Sequence, residues 1–181
     1  MINPEDLTKL DDASLDELLL IRTTALLQCL ALANDHAGDE QVPETIFTQI
    51  ADHVEMQGCL FFVLTRRSAS QSPVDIVDAM SVKMAPAEKL KNSLAIRRDF
   101  LDRVESQIRV QNALRQFFLA EADTGAPSSE EVARAGADDH ESMLLYLAEQ
   151  GRALRKEILL ITKEFAERAR EIPPPPPARR P

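Results

Sequence analysis

Apolar side chains recur at helical spacing along most of the chain. One amphipathic stretch covers residues 14–36 and a second covers 44–67, each with apolar residues three and four positions apart. Ser14, with Glu17 three residues later, predicts the N-cap and capping box of the first helix. Because the connecting loop around Gly38 is short, the two helices are predicted to form an antiparallel hairpin.

A polar segment, 68–73, interrupts this pattern and ends in proline, so it predicts an internal boundary of the chain. A short helix is predicted at 74–80. A long helix follows over about 86–121, entered through Pro86. Its apolar stripe is interrupted by a few polar residues: Arg97, Gln111 and Arg115.

The last part of the chain predicts a short helix at 128–135, a turn at Gly136 and a long helix over about 138–172. The long helix carries the a/d pattern of a heptad repeat: Leu144, Leu147, Gly151, Leu154, Ile158, Ile161, Phe165, Arg168 and Ile172. Three further leucines widen this stripe: Leu145, Leu159 and Leu160. We therefore expect burial on more than one side, first against 86–121 and second against another chain.

Together these patterns predict an all-α fold of antiparallel helical hairpins or a bundle, with two long helices at about 86–121 and 138–172. The composition agrees, since aromatic residues make up only 4% and the chain has five glycines. The predicted domains are an acidic N-terminal helical hairpin (1–67) and a long-helix hairpin (74–172), packed separately or as one bundle. Residues 173–181 predict a disordered, proline-rich tail in an extended conformation.

The sequence also matches itself at an offset of 87 residues. Residues 21–60 and 108–147 share 11 identities in 40 positions, among them His53 with His140 and Leu60 with Leu147. Random pairing would give roughly 2–4 identities. Either an internal duplication or a shared helical composition explains the excess.

The two parts of the chain differ in net charge. The net charge is −9, but residues 1–64 carry 12 acidic residues against only Lys9 and Arg22, while the remainder is nearly neutral. This acidity argues against an anionic membrane surface or nucleic acid as the partner of the first hairpin. It is compatible with solubility or with a basic protein partner.

Two cysteines, Cys29 and Cys59, occur in apolar helical stretches, and the N-terminus does not have the basic and apolar pattern of a secretory signal. We interpret both thiols as reduced core residues of a cytoplasmic protein. The longest apolar run is six residues, whereas a membrane-spanning helix needs about 20. No membrane segment is predicted.

The repeated Asp-His pairs at His53 and His140 are the strongest candidates for a metal site, as in a metal-dependent helical-bundle enzyme. Such bundles use Glu and His three residues apart, and no glutamate precedes a histidine here by three. We therefore predict no metal, no cofactor and no catalytic residue. Helix-face histidines with local hydrogen bonds are the simpler interpretation.

Residues 128–150 could also form a helix-turn-helix, with Gly136 in the turn, and so serve a transcriptional or phage-type regulator. The second helix of that motif would begin Asp138-Asp139-His140-Glu141, which opposes phosphates with negative charge. DNA binding is therefore the alternative hypothesis, and nucleic acid is not the expected partner.

The C-terminal residues Pro174 to Arg179 match the P-x-x-P-x-R pattern of ligands for aromatic-lined grooves. A disordered end that stops the helix explains the prolines equally. The favoured hypothesis for the whole chain is a non-enzymatic, cytoplasmic helical module for protein–protein interaction: an adaptor, chaperone, inhibitor or scaffold. Its expected partner is a protein, including a second copy of the chain as a homodimer.

Overall fold

The structure is a computed structural model that describes residues 4–35, 44–71, 76, 78–124 and 127–171. Within these ranges the chain forms helices and no strands, so the all-α prediction is confirmed. The helices are α1 (Pro4–Leu7), α2 (Asp12–Asp35), α3 (Glu44–Gln71), α4 (Ala79–Met84), α5 (Ala87–Thr124) and α6 (Pro127–Glu171). The tail at 173–181 and the predicted loop at 38–43 lie outside the described residues.

The two long helices, α5 and α6, form the most extensive helix–helix contact, and α2 with α3 form the next. Both pairs are antiparallel, as predicted. On α5 and α6, Arg97 pairs with Glu157 while Arg115 pairs with Glu141. The hairpins also contact each other, because α5 packs against both α2 and α3.

Residues of both hairpins share one hydrophobic core. Leu26 and Leu30 of α2 and Ile50 of α3 pack against Val110 and Leu114 of α5. At roughly 25 cal/mol per Å² of apolar surface, burial of such side chains is the main source of stability. A separate cluster at the other end of the α5–α6 hairpin joins α4 to both long helices.

A buried polar layer crosses the centre of the bundle. The Nε2 atom of Gln57 on α3 donates to Oε1 of Gln107 on α5 at 2.7 Å, and to Oγ1 of Thr23 on α2 at 3.4 Å. All three side chains are buried. Since a one-turn slip of any helix would leave buried amides unpaired, this layer fixes the relative positions of α2, α3 and α5.

The polar residues that interrupt the α5 stripe make contacts between helices. Arg97 is buried, and its Nε donates to Oε2 of Glu157 on α6 at 2.6 Å. Gln111 and Arg115 also reach α6. On the α2 side, Arg103 holds both carboxylate oxygens of Asp16 at 2.7 and 2.8 Å and donates to Ser68 of α3.

The predicted start of the first helix was wrong by two residues. The helix begins at Asp12, and its cap is Asp11, whose Oδ1 accepts a hydrogen bond from the backbone N–H of Ser14 at 2.7 Å. Ser14 is therefore inside the first turn and not the N-cap. An aspartate carboxylate at this position satisfies an otherwise free N–H, and the same hydrogen bond lowers the pKa of Asp11.

The predicted end of the second helix, at residue 67, was also too early. Helix α3 continues to Gln71, because Ser68 is buried and accepts a hydrogen bond from Arg103 instead of entering solvent. The short helix predicted at 74–80 lies at Ala79–Met84. Asp78 caps it, accepting from the N–H of Ser81 in a capping box.

The heptad positions of α6 face α5, with Leu147, Gly151, Leu154 and Ile161 buried. Arg168, an imperfect position of that pattern, contacts the end of α4. Of the flanking leucines, Leu160 packs beside α4, whereas Leu145 and Leu159 are exposed in the single chain, so the expected second contact, with another chain, stays a prediction. Within one chain, α6 is thus buried along one main face.

Several pairs at the 87-residue offset share their burial. Ile50 and Ala137 are both buried, as are Leu60 and Leu147. Leu15 of α2 is buried, but its counterpart Asp102 of α5 is exposed, because α5 is packed on different sides from α2. The internal duplication therefore stays a prediction.

No helix in the described ranges combines the length and the apolar character that crossing a bilayer requires.

Candidate functional site

The first Asp-His pair lies on α3 beside α2. Nη1 of Arg22 lies 3.2 Å from Nδ1 of His53, so Nδ1 accepts and the imidazole is neutral in this arrangement. Burial lowers the pKa of His53, and the positive charge of Arg22 lowers it further. His53 therefore serves a contact between α2 and α3, which is the structural role that the simpler interpretation expects.

The second Asp-His pair lies on α6 against α5. Nδ1 of His140 lies 2.6 Å from Oε1 of Gln111, so Nδ1 donates and the neutral ring keeps Nε2 as an acceptor. The ring stacks on Phe118 at a centroid distance of 5.3 Å. Burial lowers the pKa of His140, which favours the neutral ring.

These two histidines do not converge with carboxylates on a metal site in the described part of the chain. No group of three or more His, Cys, Asp or Glu side chains there could hold a metal ion. His53 has an arginine as its neighbour and His140 an amide, and neither partner supports a metal-bound imidazole as a carboxylate would.

The expected helix-turn-helix at 128–150 is not formed. Helix α6 is continuous from Pro127 to Glu171 and passes through Gly136 without a turn. A Cβ atom at Gly136 would lie only 3.0 Å from the Phe118 ring. The glycine therefore allows close packing of α6 on α5, and this contact explains why it does not end the helix.

An open apolar cavity of about 630 Å³ is lined by residues of three helices. We call it the aromatic groove. Its lining residues are Phe47, Ile50, Ala51 and Val54 of α3, Leu114, Phe117, Phe118 and Glu121 of α5, and Val132, Ala133 and His140 of α6. A volume of this size is typical of ligand and peptide sites.

The three walls follow from helical periodicity. On α3 and α5 the lining positions are three or four residues apart, and on α6 Ala133 and His140 are seven apart, spacings that keep residues on one face of a helix. Four aromatic rings form a continuous series across the groove: Phe47 to Phe117 at 5.8 Å, Phe117 to Phe118 at 5.6 Å, and Phe118 to His140 at 5.3 Å. Tilted and edge-on rings at these distances also attract one another.

The groove is open to solvent over the described residues. Val132 is 70% exposed and Phe47 37% exposed, although both are apolar. Exposed apolar residues that border a concave surface are typical of interaction sites. The groove can therefore bind a ligand through apolar contacts and a complementary shape. Its titratable lining residues are Glu121 and His140.

The walls of the groove are acidic around their apolar centre. Residues 45–55, 114–123 and 130–141 contain nine acidic side chains and two basic ones: Arg115, which pairs with Glu141 at 3.1 Å, and Arg134. Arg134 pairs with Glu130 at 2.8 Å on its own helix. The surroundings of the groove thus carry a negative potential that attracts cationic ligands and repels anionic ones.

A second apolar cavity, of about 550 Å³, lies at the far end of α3. Its lining includes Leu7, Cys59 and the exposed Phe62. Of the two cysteines, Cys29 is buried and lies 3.8 Å from Oε1 of Gln49, as a core residue would, while Cys59 is only partly buried. Arg66 and Arg67 give this cavity the opposite charge from that of the aromatic groove.

Comparison of the chain with protein-family models, with curated proteins and with solved structures found no match.

The sequence interpretation missed the aromatic groove. One available signal was the concentration of aromatic residues, since three of the seven phenylalanines line it. A second signal was the adjacent pair Phe117-Phe118. Neighbouring residues lie on different faces of a helix, so the two rings cannot both be covered by one neighbouring helix. Of the candidates named from sequence, only His140 is part of this surface.

Proposed function

We propose that this protein is a non-enzymatic helical module for protein–protein interaction, and that the aromatic groove is its binding surface. The observation that carries the proposal is the exposed, ring-lined groove where α3 and α6 meet α5. Interfaces are enriched in aromatic residues, and a concave apolar surface provides an anchor site for them. The negative surroundings favour a basic polypeptide over nucleic acid.

The titratable lining residues support binding over catalysis. His140 donates from Nδ1 to an amide oxygen, whereas a catalytic histidine is usually oriented by a carboxylate. Its lowered pKa keeps the ring neutral, which suits contact with an apolar partner. The role of adaptor, chaperone, inhibitor or scaffold then depends on the partner.

We place the protein in the cytoplasm, on the basis of its two unpaired thiols, Cys29 and Cys59. Self-association into a homodimer belongs to the same proposal. The heptad face of α6 is already occupied by α5, so the dimer contact uses another surface. The groove is the best developed of these.

Site-specific photo-crosslinking tests this function. A photoreactive phenylalanine analogue replaces Phe47 in the groove or, as the control, Leu145, which is exposed on α6 outside the groove. Irradiation in cells of the source organism is expected to give protein adducts from position 47 and few from position 145. Equal adducts at both positions, or none at position 47, would contradict the proposal.

A further inference from the structure

We propose that the aromatic groove binds the proline-rich tail, residues 173–181, of a second copy of this chain. This inference rests on the proposed function and names the partner of the same surface. It uses two features that are otherwise unconnected: the P-x-x-P-x-R pattern of the tail and the series of four rings in the groove.

Shape is the first argument. Proline-rich segments bind in grooves lined by aromatic rings, because proline rings pack flat on them and the extended conformation loses little entropy. The α3 wall from Phe47 to Val54 is about 10 Å long at 1.5 Å per residue. A P-x-x-P segment advances about 9 Å at 3.1 Å per residue, so one repeat matches the length of the groove.

Charge is the second argument. The tail carries Arg179 and Arg180 and no acidic side chain. The groove walls carry nine acidic residues against two basic residues, Arg115 and Arg134, and Glu121 is the acidic residue that lines the groove itself. A basic segment therefore approaches this surface favourably, and an acidic segment does not.

Chain length decides between the chain's own tail and that of a second copy. From His140 at the groove to Glu171, α6 extends about 47 Å at 1.5 Å per residue. The ten residues from 172 to 181, which follow Glu171, span at most about 35 Å even when fully extended. The tail therefore falls short of its own groove, and only a tail from another molecule can enter it.

A peptide-binding experiment tests the interaction directly. The probe is a fluorescent synthetic peptide of residues 172–181. The receptor is the full chain carrying Pro174→Ser, Pro176→Ser, Pro177→Ser and Arg179→Glu, so that its own tail does not compete. We expect a dissociation constant on the order of 10 µM, which a salt increase from about 50 mM to about 500 mM weakens.

Two matched receptor variants locate the site. Val132→Arg puts a positive charge at the groove, and Leu145→Arg puts the same charge on the same helix outside the groove. The two positions are matched in exposure, since Val132 is 70% exposed and Leu145 is 68% exposed. We expect Val132→Arg to weaken binding at least about tenfold and Leu145→Arg to change it less than about twofold. Circular dichroism verifies that both variants remain helical.

Modified peptides separate shape from charge. A peptide with Pro174, Pro176 and Pro177 changed to serine has no P-x-x-P segment, keeps its charge and is expected to bind at least about tenfold more weakly. A peptide with Arg179 and Arg180 changed to glutamate is expected to lose binding to the unmodified groove and to regain part of it on the Val132→Arg receptor.

Three results would overturn the inference: no saturable binding up to about 1 mM peptide, equal losses in the Val132→Arg and Leu145→Arg receptors, or full binding of the serine peptide. An apolar small molecule that co-purifies in the groove would overturn it as well. If adducts from position 47 identify another protein while the tail peptide does not bind, the proposed function stands and this inference fails.

Discussion

The two ends of the α5–α6 hairpin differ in how their apolar surfaces are covered. At one end, Ile76, Val82 and Ala85 cover Leu90 and Ile161, so the cluster is closed by the chain itself. At the other end, the rings of the aromatic groove stay open over the described residues. Over the described residues, α4 covers the apolar surface of this hairpin at one end, whereas α3 at the other end leaves the rings of the groove partly exposed.

Polar contacts follow the same division. At the closed end, Nη2 of Arg168 donates to the backbone oxygens of Lys83 and Ala85, both at 2.9 Å. It thereby satisfies carbonyl groups at the C-terminal end of α4. At the open end, the polar groups of the lining are the ring of His140 and the carboxylate of Glu121.

The largest expected effect is a loss of packing at the closed end. Ile161 is completely buried there, so Ile161→Ala should lower the free energy of unfolding by about 3 kcal/mol. Val132→Ala at the open end should change it by less than about 0.5 kcal/mol, because the side chain is exposed. Urea unfolding measures both, and equal losses would show that the ends do not differ.

Removing the polar contact of α4 is expected to have an intermediate effect. Arg168→Met keeps an apolar stem but leaves the carbonyls of α4 without their donor, and should cost about 1.5 kcal/mol. The control is Arg155→Met, which removes an exposed ion pair with Glu105 and should cost less than about 0.5 kcal/mol. Urea unfolding of the two variants should separate them; an unchanged Arg168→Met protein would contradict the role of this contact.

Glycine substitutions test the packing of α6 along its length. A Cβ atom at Gly151 would lie 3.7 Å from Cγ1 of Val104, an ordinary contact, so Gly151→Ala should stabilise the protein by about 1 kcal/mol. At Gly136 the Phe118 ring at 3.0 Å must move, so Gly136→Ala should destabilise it by about 1 kcal/mol.

Gly58 is the control for helix propensity, since a Cβ atom there meets nothing within 4 Å. Gly58→Ala should stabilise α3 by about 0.5–1 kcal/mol. Thermal unfolding of the three variants should therefore give two increases and one decrease. An increase for Gly136→Ala would mean that the wall of the groove is looser than the close contact with Phe118 indicates.

The smallest expected effect is the pH dependence from the two histidines. Burial lowers the pKa of both histidines in the folded state. In the unfolded chain these histidines keep their ordinary pKa of 6.5, so near and below that pH the unfolded chain binds more protons than the folded one. Stability should therefore be highest above pH 6.5 and fall as the pH decreases from 7.5 to about 5. Urea midpoints of the His53→Gln, His140→Gln double variant should depend less on pH; an equal slope would assign the effect to other groups.

Periodicity was sufficient to predict the fold class and the two antiparallel hairpins. It failed where a tertiary contact decides the local structure. Asp11 replaces Ser14 as the cap, and Ser68 stays helical because Arg103 of another helix holds it. Gly136 continues α6 because Phe118 packs against it. These contacts join residues that are distant in the sequence, and single-helix patterns contain no information about them.

The candidate site was less predictable than the fold. Three helices bring Phe47, Phe117 and Val132 together, and their relative rotation depends on buried polar residues such as Gln57 and Gln107. A helical pattern reports which residues share a face, but not which faces are left without a neighbour. The sequence did contain the proline pattern of the tail, whose proposed binding site only the folded chain reveals.

The central claim is that the open end binds polypeptides, beginning with the tail of a second copy. Methyl NMR spectra of the full chain, diluted from about 1 mM to about 10 µM, test it most directly, because this range covers weak association. The account predicts concentration-dependent shifts for Val54 and Val132 in the groove and none for Val82 and Ile161 at the closed end. Invariant groove signals, or shifts at the closed end alone, would contradict it.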